Sequence, residues 1–248
     1  MISQESRCIY ENNQLGEVIC QLRFPEILTI ETELPAKFQE RIRDVFPRYS
    51  VRRENSGPNT QTNNYQFATD DGVWRVNMTS KFIALATSRY TCWEDFAAML
   101  DNPLAAFIQL YKPACFDRIG LRYLNFISRR ELGLEGVPFR ELIEPAYLGP
   151  MAEEDVAEHT VGRCSVDCEM ALNGGAKLKL HAGPGKVTRG GKADDDVKFI
   201  FDLDLYMSAK VPVNLSAGAL QTLHAQADSI FRGAVTDTLH DAMEPEQL

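Results

Sequence analysis

RIGLRYLNFI, Arg118 to Ile127, is the stretch on which the fold turns. A run this long and apolar, set between polar neighbours, reads as a strand in the interior of a sheet. It also carries Arg118 and Arg122, four residues apart and therefore on one side of a strand. At a period of two, Ile119, Leu121, Tyr123, Asn125 and Ile127 share one face, and Arg118, Gly120, Arg122, Leu124 and Phe126 share the other. The segment Phe199–Tyr206 has the same build. Phe199, Phe201, Leu203 and Leu205 form its apolar face; Ile200, Asp202, Asp204 and Tyr206 form its mixed face. If both strands lie in one sheet, the mixed face sets guanidinium groups beside carboxylates, where bidentate pairing is favourable. A second reading makes Arg118 and Arg122, with Arg23 and Arg75, donors to an anionic ligand.

The remaining chain supplies partners for this strand. EVICQLRF (17–24) alternates as a strand and stops at Pro25, and AKFQERIRDVF (36–46) has helical spacing between Pro35 and Pro47. SVRREN (50–55) reads as a strand, followed by a polar loop, Asn55–Asn64. Three strands follow in 65–90, reversed at Asp70-Asp71-Gly72 and near Ser80. Thr91 is the expected N-cap of a helix over 92–111, with Glu94 completing a capping box and Pro103 expected to kink or split it. In the second half, VPFRELIEP (137–145) reads as a short helix, and GRCSVDCEMAL and AKLKLHAG as a hairpin across Asn173-Gly174-Gly175. A strand over Val197–Met207 and a helix from Leu215 to about Met243 close the chain. Leu220, Leu223, Ala227, Ile230, Ala234 and Thr238 form one helical stripe, as a sheet-covering helix requires.

These elements predict an α+β fold. Two duplicated β-α-β-α halves, residues 1–113 and 114–248, would pack as one globular unit and share a curved antiparallel sheet with helices on one face, as in TATA-binding-protein-like saddles. A helix-grip fold is the alternative. The duplication rests on element order, without a residue-level repeat.

Charge and composition narrow the function. A net charge of −9 argues against broad electrostatic binding to nucleic acid or anionic lipid. Neither a signal peptide nor an apolar run long enough to span a bilayer is present, which predicts a cytoplasmic chain. The six cysteines are scattered through a long chain and read as free thiols. No cofactor and no metal are expected. Cys164 and Cys168 lack the spacing of paired zinc ligands, and the run Asp194-Asp195-Asp196 lacks the alternating ligands of a calcium loop. The segment Ala182–Asp196 reads as a solvated loop and fails the phosphate-loop pattern, since Lys186 stands where a glycine is needed and Ala193 where a hydroxyl is needed. His224, with Asp228 one turn on, is a candidate imidazole, but no nucleophile in a strained turn matches it; Asp237, His240 and Asp241 read as surface. Candidate catalytic residues are therefore none, and the candidate binding residues are Arg118, Arg122, Tyr123, Asn125, Asp202, Asp204 and His224.

Glu17-Val18 with Leu22-Arg23-Phe24, Arg118 with Gly120, Arg122-Tyr123 and Asn125, and Leu223-His224 with Phe231 are similar to the pattern of a sparsely characterised, sporadically distributed prokaryotic family of about this length. Many members carry prolines before the first strand, where this chain has Asn12-Asn13-Gln14-Leu15-Gly16. The resemblance implies no reaction. Its scattered distribution implies exchanged accessory genes, including defence and toxin–antitoxin systems. The expectation is thus a non-enzymatic protein-binding or regulatory module whose partner is encoded by a neighbouring gene, with a homodimer also compatible. A small anionic ligand or nucleotide sensor is the alternative. Single-stranded nucleic-acid binding comes next, with Tyr65, Phe67, Trp74 and Tyr90 stacking bases and Arg75 and Arg89 near phosphates.

Overall fold

The computed structural model describes residues 2–57, 60–189 and 192–247. The strands are β1 (Cys8–Tyr10), β2 (Leu15–Arg23), β3 (Arg48–Gly57), β4 (Thr60–Ala68), β5 (Trp74–Met78), β6 (Phe82–Thr87), β7 (Arg118–Ile127), β8 (Val166–Ala171), β9 (Lys177–Arg189), β10 (Lys192–Met207) and β11 (Pro245–Gln247). The helices are α1 (Thr29–Thr32), α2 (Ala36–Ile42), α3 (Trp93–Tyr111), α4 (Ser216–Arg232) and α5 (Asp237–Ala242). The fold is α+β: a large antiparallel sheet with helices packed on it. Its strand order is β3-β4-β5-β6-β2-β7-β10-β9-β8, and β1 pairs separately with β11. No described helix is long and apolar enough to cross a membrane.

Two compact units can be distinguished, and they interleave along the chain instead of dividing once near residue 113. One comprises Met1–Gly16, Arg122–Leu205 and Thr222–Leu248; the other comprises Glu17–Leu121 and Tyr206–Gln221. In the second of these, Val18, Cys20 and Leu22 of β2, Tyr65 and Phe67 of β4, and Val76 and Met78 of β5 are buried. Against them lie Phe38 of α2, 5.3 Å from Phe67, and Phe107 of α3, 4.7 Å from Phe24. In the first unit, Phe199 and Phe201 of β10 are fully buried against Phe139 at 5.3 Å, Tyr147 at 5.2 Å and Phe231 of α4 at 6.1 Å. Burial at every second residue marks the face that helices and turns cover; the alternate face is mixed.

Lys198 of β10 stands out because it is a buried charge on the mixed face. It is 6% exposed, and its ammonium lies 2.8 Å from Glu131, 3.5 Å from Asp196 and 3.6 Å from Asp194. Burial works against its charge, but the surrounding carboxylates overcome this and leave its pKa raised.

Several expectations need correction. The stretch Asn55–Asn64 is not a loop: β3 runs to Gly57 and β4 starts at Thr60, with Arg53 opposite Asn63, while Pro58 and Asn59 lie outside the described residues. Ala182–Asp196 is likewise mostly strand, with Gly190 and Gly191 outside the described residues. Backbone ladders hold both hairpins, so polar side chains give no warning of them. VPFRELIEP forms single 3-10 turns at Phe139–Glu141 and Pro145–Tyr147, because Pro138 and Pro145 leave too little room for an α-helix. α3 runs unbroken through Pro103, held by Leu100 before it and Ala106 and Phe107 after it, all buried. Its N-cap is Cys92; the Thr91 hydroxyl instead donates to Asp95 at 2.7 Å. The closing helix stops at Arg232 before Gly233, and α5 restarts from Thr236, whose hydroxyl accepts from the Leu239 amide. That break carries Thr238 off the stripe into solvent. Short helix α1 was not foreseen.

Candidate functional site

The mixed face of β7 in the first unit resolves half of the arginine question. Arg122 Nε donates to Asp202 Oδ1 at 2.8 Å and Nη2 to Oδ2 at 2.5 Å, a bidentate fork across neighbouring strands. Asp204 is next on the same face, and both aspartates line a depression of about 470 Å³ with Lys179 and His181 of β9 and Asp167 and Glu169 of β8. The register of β8 with β9 places Asp167 opposite His181 and Glu169 opposite Lys179. His181 Nδ1 lies 2.8 Å from Asp167 Oδ1, and Lys179 Nζ lies 3.8 Å from Glu169 Oε2. The bond from His181 holds the Asp167 carboxyl below its usual range. Charge therefore alternates strand by strand: cation on β7, anions on β10, cations on β9, anions on β8.

Arg118 follows a different course. Its guanidinium lies 4.6 Å from the Tyr206 ring centre, a cation–π contact that Gly120 makes room for. A Cβ at Gly120 would stand 2.2 Å from Arg118 Nη1. Of the other arginines named from the sequence, Arg75 Nη2 donates to Glu17 at 2.5 Å and Arg23 Nε to Gln21 at 2.8 Å.

Tyr123, Asn125 and His224 sit on the covered face. The Tyr123 hydroxyl lies 2.9 Å from His224 Nδ1, and both residues are buried. Asn125 Nδ2 donates to the Phe201 carbonyl at 3.1 Å, binding β7 to β10 from beneath. Asp228, one turn beyond His224, has its pKa raised by burial, with Arg7 partly offsetting the effect. The seven candidate residues thus divide. Arg122, Asp202 and Asp204 share a surface depression; Tyr123, Asn125 and His224 serve the interior; Arg118 is stacked on an aromatic ring.

Sequence reasoning missed the open face of the second unit. Register places Arg48, Ala68, Arg75 and Ala86 in one row across β3 to β6, and Ser50, Gln66, Asn77 and Ala84 in the next, with Arg52 beside Asn64. The second row is a hydrogen-bonded ladder: Ser50 Oγ to Gln66 Oε1 at 3.4 Å, and Gln66 Nε2 to Asn77 Oδ1 at 3.3 Å. Ala68 lies among the arginines and amides that line a depression of about 760 Å³. Arg48 to Arg53 are six exposed residues in succession, among them Tyr49 and Val51 at 44% and 48%. The period-two alternation in RYSVRR was the available signal.

Base stacking by Tyr65 and Phe67 is excluded, because both rings are buried in the core. Trp74 and Tyr90 pack towards Phe96 at 5.7 and 6.1 Å. His240 is not plain surface: its Nδ1 lies 2.8 Å from the Tyr10 hydroxyl. Near His181, the Ser165 hydroxyl donates to Asp167 at 3.2 Å, so the carboxylate and not the imidazole receives it. Nucleophilic activation needs the opposite order. All six cysteines are free, and no His/Cys/Asp/Glu group suited to a metal ion occurs among the described residues. No protein-family model matches the chain, and no curated protein matches it.

Proposed function

We propose that the protein is a non-enzymatic binding module that engages a protein partner through the open polar face of its second unit. The observation that carries this reading is the row structure of that face, where Arg48, Arg52 and Arg75 flank Ala68 beside a ladder of amides. Arginine is among the residues favoured at protein interfaces, and Arg48 and Arg52 are exposed on this face. Arg48 lies 3.5 Å from Asp70 and Arg75 2.5 Å from Glu17, so with Arg52 the face sets three arginines against two paired carboxylates, and on a chain of net charge −9 that local excess selects an acidic partner and steers its approach. The non-enzymatic reading draws support from two imidazoles: Tyr123 holds His224 in the interior, and Tyr10 holds His240. The anionic-ligand alternative at Arg118 and Arg122 has weaker support, since one is forked to Asp202 and the other stacked on Tyr206. In the setting that the sequence resemblance implies, the partner is a product of an adjacent gene, within a defence or regulatory system.

Isothermal titration against the products of adjacent genes tests the reading. One of them binds the parent chain, and Gln66→Glu with Asn77→Asp, which puts two carboxylates on the face, weakens that binding by about tenfold or more. Failure of every neighbour to bind, or binding indifferent to both changes, overturns it.

A further inference from the structure

Both ends of the strand order carry a charged, alternating edge, and the two are of opposite sign. β3 has a hydrogen-bonded neighbour on one side, β4, and β8 has one on one side, β9. In β3, Arg48, Ser50 and Arg52 occupy the open face while Tyr49 and Val51 point to the other; the strand's sequence has three arginines and one acid, Glu54, and Arg48 lies 3.5 Å from Asp70. In β8, Asp167 and Glu169 are exposed on one face while Val166, Cys168 and Met170 are half-buried on the other; Val166–Ala171 contains two acids and no base.

We propose that copies of this chain associate edge to edge, β3 of one against β8 of the next. An unpaired strand edge presents free backbone N–H and C=O groups, and adding a strand satisfies them. Charged side chains normally prevent such contact. Here they prevent only two of three pairings: β3 on β3 sets arginines against arginines, and β8 on β8 sets carboxylates against carboxylates. β3 on β8 with the polar faces aligned sets Asp167 and Glu169 beside Arg48 and Arg52, and Val166, Cys168 and Met170 beside Tyr49 and Val51. Side chains two apart on a strand are spaced by roughly 6.6 Å, and diagonal neighbours by about 7–8 Å, within reach of arginine. The bonds of Asp167 to His181 and of Glu169 to Lys179 do not preclude this, since a carboxylate accepts from several donors. Because the contact joins two different patches, each copy keeps one edge of each sign to extend the array into a ring or an open chain. The edge contact shares Arg48 and Arg52 with the partner-binding face, but self-association of the purified chain is read with no partner present, so the two readings fail separately.

Sedimentation velocity of the purified full chain tests it. At low salt the mass rises with concentration above the 27.9 kDa of one chain, and raising the salt to about 0.5 M returns it towards that value. Arg48→Glu with Arg52→Glu makes both edges acidic; Asp167→Lys with Glu169→Lys makes both basic. Each double variant alone stays monomeric, and an equimolar mixture associates again, which also shows that both are folded. A parent chain that is monomeric at every concentration, or association that survives either double variant, or a mixture that stays monomeric while each component gives a native circular dichroism spectrum, overturns the proposal.

Discussion

Tyr123→Phe isolates the bond that holds His224. The substitution keeps the ring, and with it the packing of β7 against α4, where the two ring centres are 6.2 Å apart. It removes one hydroxyl, 2.9 Å from His224 Nδ1, at a place where Tyr123 is 6% and His224 5% exposed. A hydrogen bond contributes about 1 kcal/mol net, and leaving its buried partner unsatisfied costs about 1–3 kcal/mol. We expect a loss near the middle of that range, about 2 kcal/mol, or about 4–8 °C in Tm for a chain of this size. Urea unfolding followed by circular dichroism should show a lower midpoint with an unchanged slope. Adding His224→Leu removes the stranded nitrogen, so the double variant should be more stable than the sum of the single losses by about 1 kcal/mol or more. A Tyr123→Phe variant within about 0.5 kcal/mol of the parent would refute the assignment of His224 to the interior framework and reopen an acid–base role.

Three other outcomes follow from the geometry. A double-mutant cycle on Arg122→Ala and Asp202→Ala should give a coupling of about 0.5–1 kcal/mol, because Arg122 is 44% exposed, and 1 M salt should reduce it; zero coupling would leave the pair without a structural role. Gly120→Ala should cost about 0.5–1 kcal/mol by pushing the Arg118 guanidinium off Tyr206, and nothing further in an Arg118→Ala background; an equal cost in both backgrounds would trace the clash elsewhere. Asp228→Asn should raise Tm at neutral pH. Burial raises the folded-state pKa of Asp228, so the folded chain binds its proton more tightly and loses stability as pH climbs from the unfolded value through the folded one. The advantage of asparagine should vanish below the ordinary carboxylate range, and a constant advantage down to acid pH would contradict the sign.

Alternation made the interior strands readable. In β7 and β10 every second residue must be apolar to meet a helix, so both faces follow from residue type, and a fork between Arg122 and Asp202 follows from the leftover charges. Strand β3 escapes the same reasoning over Arg48–Arg53, because the backbone pairs with β4 while successive side chains stay exposed. Tyr65 and Phe67 were read as exposed because a strand face can be assigned only modulo one residue until its neighbours are known. The burial of both, with Phe67 against Phe38 of α2, decides the matter. The arginine row of the second unit needs register, since Arg48 and Arg75 become row-mates only when β4 is placed between them with Ala68. The break after Arg232 was within reach, as Gly233 followed by Thr236 is a stop and a cap.

The interleaving of the two units bears on how the chain is made. One unit requires Tyr206–Gln221 and the other Thr222–Leu248, so neither has its full set of segments until these stretches have left the ribosome. Domains ordinarily mature one after another during translation, the earlier shielding its apolar surface while the later is still being synthesised. Here the completions are interleaved: Glu17–Leu121 waits for Tyr206–Gln221, which is made only after Arg122–Leu205 of the other unit.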